Sequence, residues 1–206
     1  MWYDTLALIS LIAVIALLRR LVNIFPSLVA CLIRWKENIN LQVSLKMRTD
    51  RDIFTYVLFI PFCLAIFRFN LYRPGFMSGM GEGTRLWCTI GIAAGYILVR
   101  IACRLLFRLH STPSSTYKTA NDSVRTYFVI LALTLLTTGG VLSFFNTPLE
   151  HIRTAMFWLS GTIYTLFLVR KTQIFLTSCN LFASFLYLCA LEILPTGVLI
   201  ASAVIF

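Results

Sequence analysis

Charge is scarce in this sequence. Only 13% of its 206 residues are Asp, Glu, Lys or Arg, while 59% are hydrophobic and the mean hydropathy is +0.84. Soluble domains carry roughly twice that share of charge. A single soluble core has no room for so much apolar surface, which excludes an ordinary soluble enzyme or binding module. Histidine is scarcer still: there are two, His110 and His151, and the topology below puts them at opposite membrane faces. The six cysteines form no CxxC and no Cys/His group with zinc spacing. They read as small membrane-buried hydrophobes, and no metal centre is expected. Strand-like alternation is missing, as are an internal repeat and a soluble domain. The inverted-repeat signature of many transporters is therefore absent. No serine-protease, rhomboid-like or metalloprotease motif is visible, and no nucleophile sits beside a base. The expectation is that the chain is not an enzyme and uses no soluble small-molecule cofactor.

What is present is a series of apolar runs bounded by basic residues. The net charge of +10 is spread over the ends of these runs, as in positive-inside anchoring, and not along a stripe that would bind nucleic acid. The pattern predicts an all-α fold: a polytopic integral membrane helix bundle forming one domain over residues 1–206. About six spans are expected, near residues 2–18, 53–69, 86–106, 126–145, 154–169 and 180–205. Met1-Trp2-Tyr3-Asp4 lacks the basic region of a secretory signal, so the first run is expected to stay as a mature span.

After the Arg19-Arg20 stop, residues 21–33 are too few to cross about 30 Å of hydrocarbon. Residues 21–52 are read as amphipathic cytoplasmic interfacial helices, with a re-entrant hairpin as the competing reading. Thr49-Asp50-Arg51-Asp52 reads as the N-cap region of span two, and Pro61 as a kink within it. Residues 70–85 read as a glycine-rich loop. Their Gly-x-Gly-x-Gly run, at Gly79, Gly81 and Gly83, lacks the strand and the Lys-Ser/Thr ending of a phosphate loop. Gly91 and Gly95 form a small-xxx-small pattern that lets helices approach closely. Residues 110–123 read as a hydrophilic loop, Asn146-Thr147-Pro148 as a tight turn, and Arg170-Lys171 as the end of span five. This topology puts 14 of the 18 Lys and Arg residues on one side and leaves Arg68, Arg73, Arg85 and Arg153 on the other. The first side is then cytoplasmic, and both termini face away from it. Arg19, Arg20, Arg34, Lys36, Arg104 and Arg108 are the basic residues expected to face lipid or a partner.

One residue breaks the apolar pattern sharply. After Lys171 the only charge is Glu192, near the centre of span six. A carboxylate there costs at least ~2.5 kcal/mol on insertion scales unless it is neutral, paired or wet. Three residues later Pro195 removes the amide that would bond the Leu191 carbonyl. At about 1.5 Å per residue, Arg100 lies about 9 Å and Glu192 about 16–18 Å from the cytoplasmic edge. The gap of about 8 Å is within reach of the two extended side chains, so Arg100 is a candidate partner. Tyr187 is a polar candidate nearby. Glu192, Pro195, Arg100 and Tyr187 thus form a candidate intramembrane polar site, either a structural lock or a proton or ion carrier.

The stretch Tyr187-Leu188-Cys189-Ala190-Leu191-Glu192-Ile193-Leu194-Pro195 resembles the C-terminal signature of an uncharacterised Bacteroidota membrane family. That family is a domain of unknown function, number four-two-seven-one. Ala190 stands where the family usually has Thr, and Arg170 also resembles a family position. The resemblance implies a multi-pass protein of a bacterial inner membrane and no particular activity. With the topology above, both termini would then be periplasmic. The leading functional expectation is an inner-membrane subunit or assembly factor of an envelope complex, with the lipid bilayer and other membrane proteins as partners. The alternative is a small transporter or proton-coupled channel using Glu192. A lipid-acting membrane enzyme ranks last.

Overall fold

A computed structural model of the chain describes residues 2–34, 37, 44–106, 114–176, 185, 186 and 188–205. Among these residues every regular element is helical. In chain order they are α1 (Trp2–Ala16), α2 (Leu18–Ile33), α3 (Leu45–Val57), α4 (Phe59–Arg68), a 3₁₀ turn (Gly75–Met77), α5 (Glu82–Leu106), α6 (Ser114–Phe144), α7 (Leu149–Leu176), a π-helical turn (Cys189–Ile193) and α8 (Leu194–Ile205).

The α6/α7 hairpin is the centre of the bundle. Its turn is a Schellman motif: Thr147 N–H bonds the Leu142 carbonyl and Asn146 N–H bonds the Ser143 carbonyl, with Asn146 at φ 52°. Asn tolerates this left-handed conformation better than most residues. The same device ends α4, where Asn70 has φ 49° and Leu71 N–H reaches the Ile66 carbonyl. The main core joins α2, α3, α6 and α7 through Ile24, Leu28, Cys31, Phe54, Tyr127, Ile130, Ile163 and Phe167. A smaller cluster of Ala120, Ile174, Phe175, Leu188 and Leu191 joins α6 and α7 to the π turn.

The outside of the bundle carries many exposed large apolar side chains. Leu8, Ile9, Leu11, Ile12 and Ile15 of α1 are each more than half exposed. In water such a surface would be strongly unfavourable; in hydrocarbon it is ordinary. This is a membrane protein. Among the described residues three helical stretches are long and apolar enough to cross a bilayer: Glu82–Cys103, Thr119–Phe144 and Leu149–Leu176. The α1/α2 pair, bent by 72°, makes a fourth if taken as one span, and Cys189–Ala203 is a shorter apolar helix. This count of three or four is smaller than the six expected: α1 alone has only 15 residues, and two further reasons are visible. The second expected span is divided at Leu58 into α3 and α4, and the start of the sixth lies outside the described residues.

Several local expectations are corrected. Thr49, Asp50, Arg51 and Asp52 lie inside α3, which begins at Leu45, and Ser44 holds the N-cap position. The expected loop 110–123 is helical from Ser114; its earlier residues lie outside the described set. Thr119, Ala120, Asp122 and Ser123 are all buried, so tertiary packing supplies what this polar stretch lacks in hydrophobicity. The glycine-rich segment gives way to helix at Glu82, and Arg170-Lys171 does not end α7, which continues to Leu176. A Cβ at Gly91 or Gly95 would meet nothing within 4 Å, so among the described residues no helix uses that pair for close approach. Gly139 fills that role instead. A Cβ there would sit 2.5 Å from Met156 Cε and 2.7 Å from Phe69 Cε2.

α2 has three faces. Ile24, Leu28 and Cys31 are buried, whereas Leu18, Val22, Phe25, Val29 and Ile33 are exposed. Arg19, Arg20 and Asn23 are exposed and polar. At about 100° per residue these sets occupy separate sectors of the helix: one for the core, one apolar and outward, one polar.

Candidate functional site

Glu192 sits on the π turn that leads into α8. There Leu194 N–H bonds the Cys189 carbonyl, one residue further back than in an α-helix. Pro195 follows with no N–H to offer, so the α-helical ladder cannot run through this point. The local sequence therefore produces the irregular turn, and the turn presents the carboxyl to two neighbouring helices.

Two cations meet it. Arg100 on α5 donates through Nη2 to Oε2, and Lys171 on α7 donates through Nζ to Oε1. The side chains of Glu192 and Lys171 are 1% and 3% exposed and that of Arg100 13%, so this triad is nearly dry. Aromatic rings cover the cations. Lys171 Nζ lies 5.5 Å from the Phe167 centroid, and the Arg100 guanidinium 5.7 Å from that of Tyr96. Tyr164 donates its hydroxyl to the Glu192 backbone carbonyl at 3.1 Å, and the Tyr96 and Thr196 hydroxyls bond at 2.9 Å. Three helices and the turn are thus tied at one point.

Of the sequence-derived candidates, Glu192, Arg100 and Pro195 come together here, while Tyr187 lies outside the described residues. Lys171 is the residue that span counting missed. Its signal was periodic: Ile163, Phe167, Lys171 and Ile174 are all buried and recur at the spacing of one helix face. Arg170, one position earlier, points elsewhere. Its Nη2 donates to the carbonyls of Leu32 and Ile33 at 3.0 and 2.8 Å, satisfying orphan acceptors at the end of α2.

A second ionic cluster lies between α3 and α6, and no motif announced it. Arg51, 1% exposed, donates through Nε and Nη2 to Asp52 Oδ1 at 3.0 and 2.8 Å. Arg125 Nη1 donates to Asp52 Oδ2 at 2.7 Å. Asp122 Oδ2 stands 4.0 Å from Arg51 Nη2 and, among the described residues, is a buried polar side-chain atom with no hydrogen-bond partner. Burial works against the Asp52 charge, but Arg51 and Arg125 outweigh it and hold this carboxyl below the usual carboxylate range.

The expected basic surface residues are dispersed. Arg19 and Arg20 are exposed beside the start of α3, where Arg20 pairs with Asp50 at 3.6 Å. Arg34 is exposed at the end of α2. Lys36 and Arg108 fall outside the described residues, as does the side chain of Arg104. Among the described residues no group of three or more His, Cys, Asp or Glu could hold a metal ion.

A family described as a domain of unknown function (DUF4271) matches residues 5–202. No curated protein and no solved structure matches the chain.

Proposed function

Because the chain belongs to the DUF4271 family, a domain of unknown function, its role must be argued from geometry, and we propose a non-catalytic subunit or assembly scaffold of a bacterial envelope complex. In this reading it is a six-span protein of the inner membrane. α1 is the first crossing, and the segment from α2 to the start of α3 lies on the cytoplasmic surface. The remainder of α3 with α4 makes the second crossing. α5, α6 and α7 are the third to fifth, and the closing segment through α8 is the sixth. The basic majority then faces the cytoplasm and both termini face the periplasm.

The observation that carries the proposal is the saturation of the Glu192 carboxylate by cations from two other helices. A carrier site needs a route for water or ions to its carboxyl. The triad is nearly dry, with the Glu192 and Lys171 side chains 1% and 3% exposed. That arrangement supports a lock that fixes helix positions, and with it a framework role. The test is isolation from native membranes in mild detergent, followed by intact-complex mass measurement. A scaffold brings a second membrane protein with it; a strictly solitary chain at native abundance counts decisively against the role. Proteoliposome flux provides the complementary check. Ion or proton flux that disappears in a folded Glu192→Gln protein would replace the lock with a carrier.

A further inference from the structure

The polar sector of α2 faces the beginning of α3 across an open groove of about 630 Å³. Its lining includes Arg19, Arg20, Asn23, Lys46, Thr49 and Asp50. Three cations therefore stand against one carboxylate, and Asp50 is already engaged by Arg20. Asn23 and Thr49 add neutral hydrogen-bonding side chains. The groove begins directly after the 72° bend that ends α1. The 15 helical residues of α1 rise about 22 Å, most of the roughly 30 Å of hydrocarbon, and the long Arg19 and Arg20 side chains just past the bend can snorkel the rest of the way to the headgroups. Beside the cations on the same helix runs the outward apolar sector of Leu18, Val22, Phe25, Val29 and Ile33, 37–67% exposed. The mouth of the groove carries Leu45, 81% exposed.

A soluble anion would use the cations and leave the apolar sector bare. An acidic protein segment would have no use for a greasy strip continuous with the bilayer. Only an amphiphile matches both halves. The geometry points to a binding site for an anionic phospholipid: the headgroup phosphate rests between Arg19, Arg20 and Lys46, and an acyl chain lies along Val22 and Phe25. This site shares only the membrane setting with the scaffold role and does not depend on any protein partner.

The test uses the full chain, purified in mild detergent and titrated separately with phosphatidylglycerol, phosphatidylcholine and inorganic phosphate, with bound lipid read by native mass spectrometry. Phosphatidylglycerol is expected to be retained over phosphatidylcholine, and inorganic phosphate is expected not to displace it. Arg19→Gln/Lys46→Gln should weaken retention on the order of tenfold, as removal of two headgroup-level cations implies. Arg73→Gln/Arg153→Gln, equal in charge change but remote from the groove, should leave it unchanged. Val22→Ser/Phe25→Ser should weaken lipid retention with the cations intact. Melting temperatures are measured for every variant, and Lys46→Glu, a single change at an exposed position, serves if the double variant does not fold. Equal retention of both lipids, equal loss in the remote control, or displacement by inorganic phosphate would each overturn the site.

Discussion

The two ionic clusters use the same chemistry under different degrees of shelter. At Glu192 one carboxylate meets Arg100 and Lys171, and the carboxylate and the lysine have almost no contact with solvent. Between α3 and α6 the burial is graded: the Arg51 side chain is 1% exposed, Asp122 8%, Asp52 24% and Arg125 38%. The first cluster holds three helices and a turn in register and has no cheap way to come apart. The second spans the same range as its burial, from a core arginine to a half-wet surface pair. From this contrast, an ion pair's worth here is expected to follow from what happens to the charge left behind when its partner is removed.

That contrast can be attacked directly. Glu192→Ala strands two cations in a dry site and should cost about 3–5 kcal/mol, seen as a large fall in the melting temperature in detergent or as failure to accumulate. Replacing all three members, Glu192→Leu with Arg100→Met and Lys171→Met, should recover most of that loss in the same melt. If the apolar triple is as unstable as Glu192→Ala, the charges matter for more than their mutual compensation. Arg51→Met removes the cation nearest Asp122 but leaves Asp52 with Arg125, so a smaller loss of about 1–3 kcal/mol is expected by denaturant or thermal titration. Arg125→Gln acts on a pair already open to water and should change stability by less than about 1 kcal/mol. An Arg125 effect equal to that of Arg51 would erase the gradient.

The smallest effect is one of pH. Because the folded-state Asp52 carboxyl is held below its ordinary range, its stabilising contribution is fully present above the unfolded value of about 3.9. It is lost as pH falls through the depressed folded value. The melting-temperature difference between the parent chain and Asp52→Asn should therefore be constant near neutrality and shrink in acid.

Membrane residence was legible because composition alone leaves no aqueous solution for so many apolar residues. The Arg100–Glu192 contact was legible because a lone carboxylate in an apolar run demands a cation, and rise per residue limits which one can reach. Lys171 was not, because Arg170-Lys171 resembles a boundary signal; two adjacent residues on a helix point about 100° apart, so one faced outward while the other turned in. The Arg51 cluster was hidden for a related reason. Charges next to an expected span read as interfacial, and only the packing of α3 against α6 shows that Arg51 and Asp122 are interior. The boundary at Leu45 and the helix from Ser114 were misread because runs of Ser, Thr, Asp and Arg look like caps and loops in sequence even where tertiary contacts keep the helix going.

The neighbouring cations of α7 also bear on how the bundle is put together during synthesis. Arg170 grips the carboxyl end of α2, whereas Lys171 pairs with Glu192, which is made after it. Their fixed angular offset means that seating the first partner already sets the rotation at which the second must arrive. The seating of α7 on α2 thereby prescribes the rotation of the socket that receives the π turn before α8.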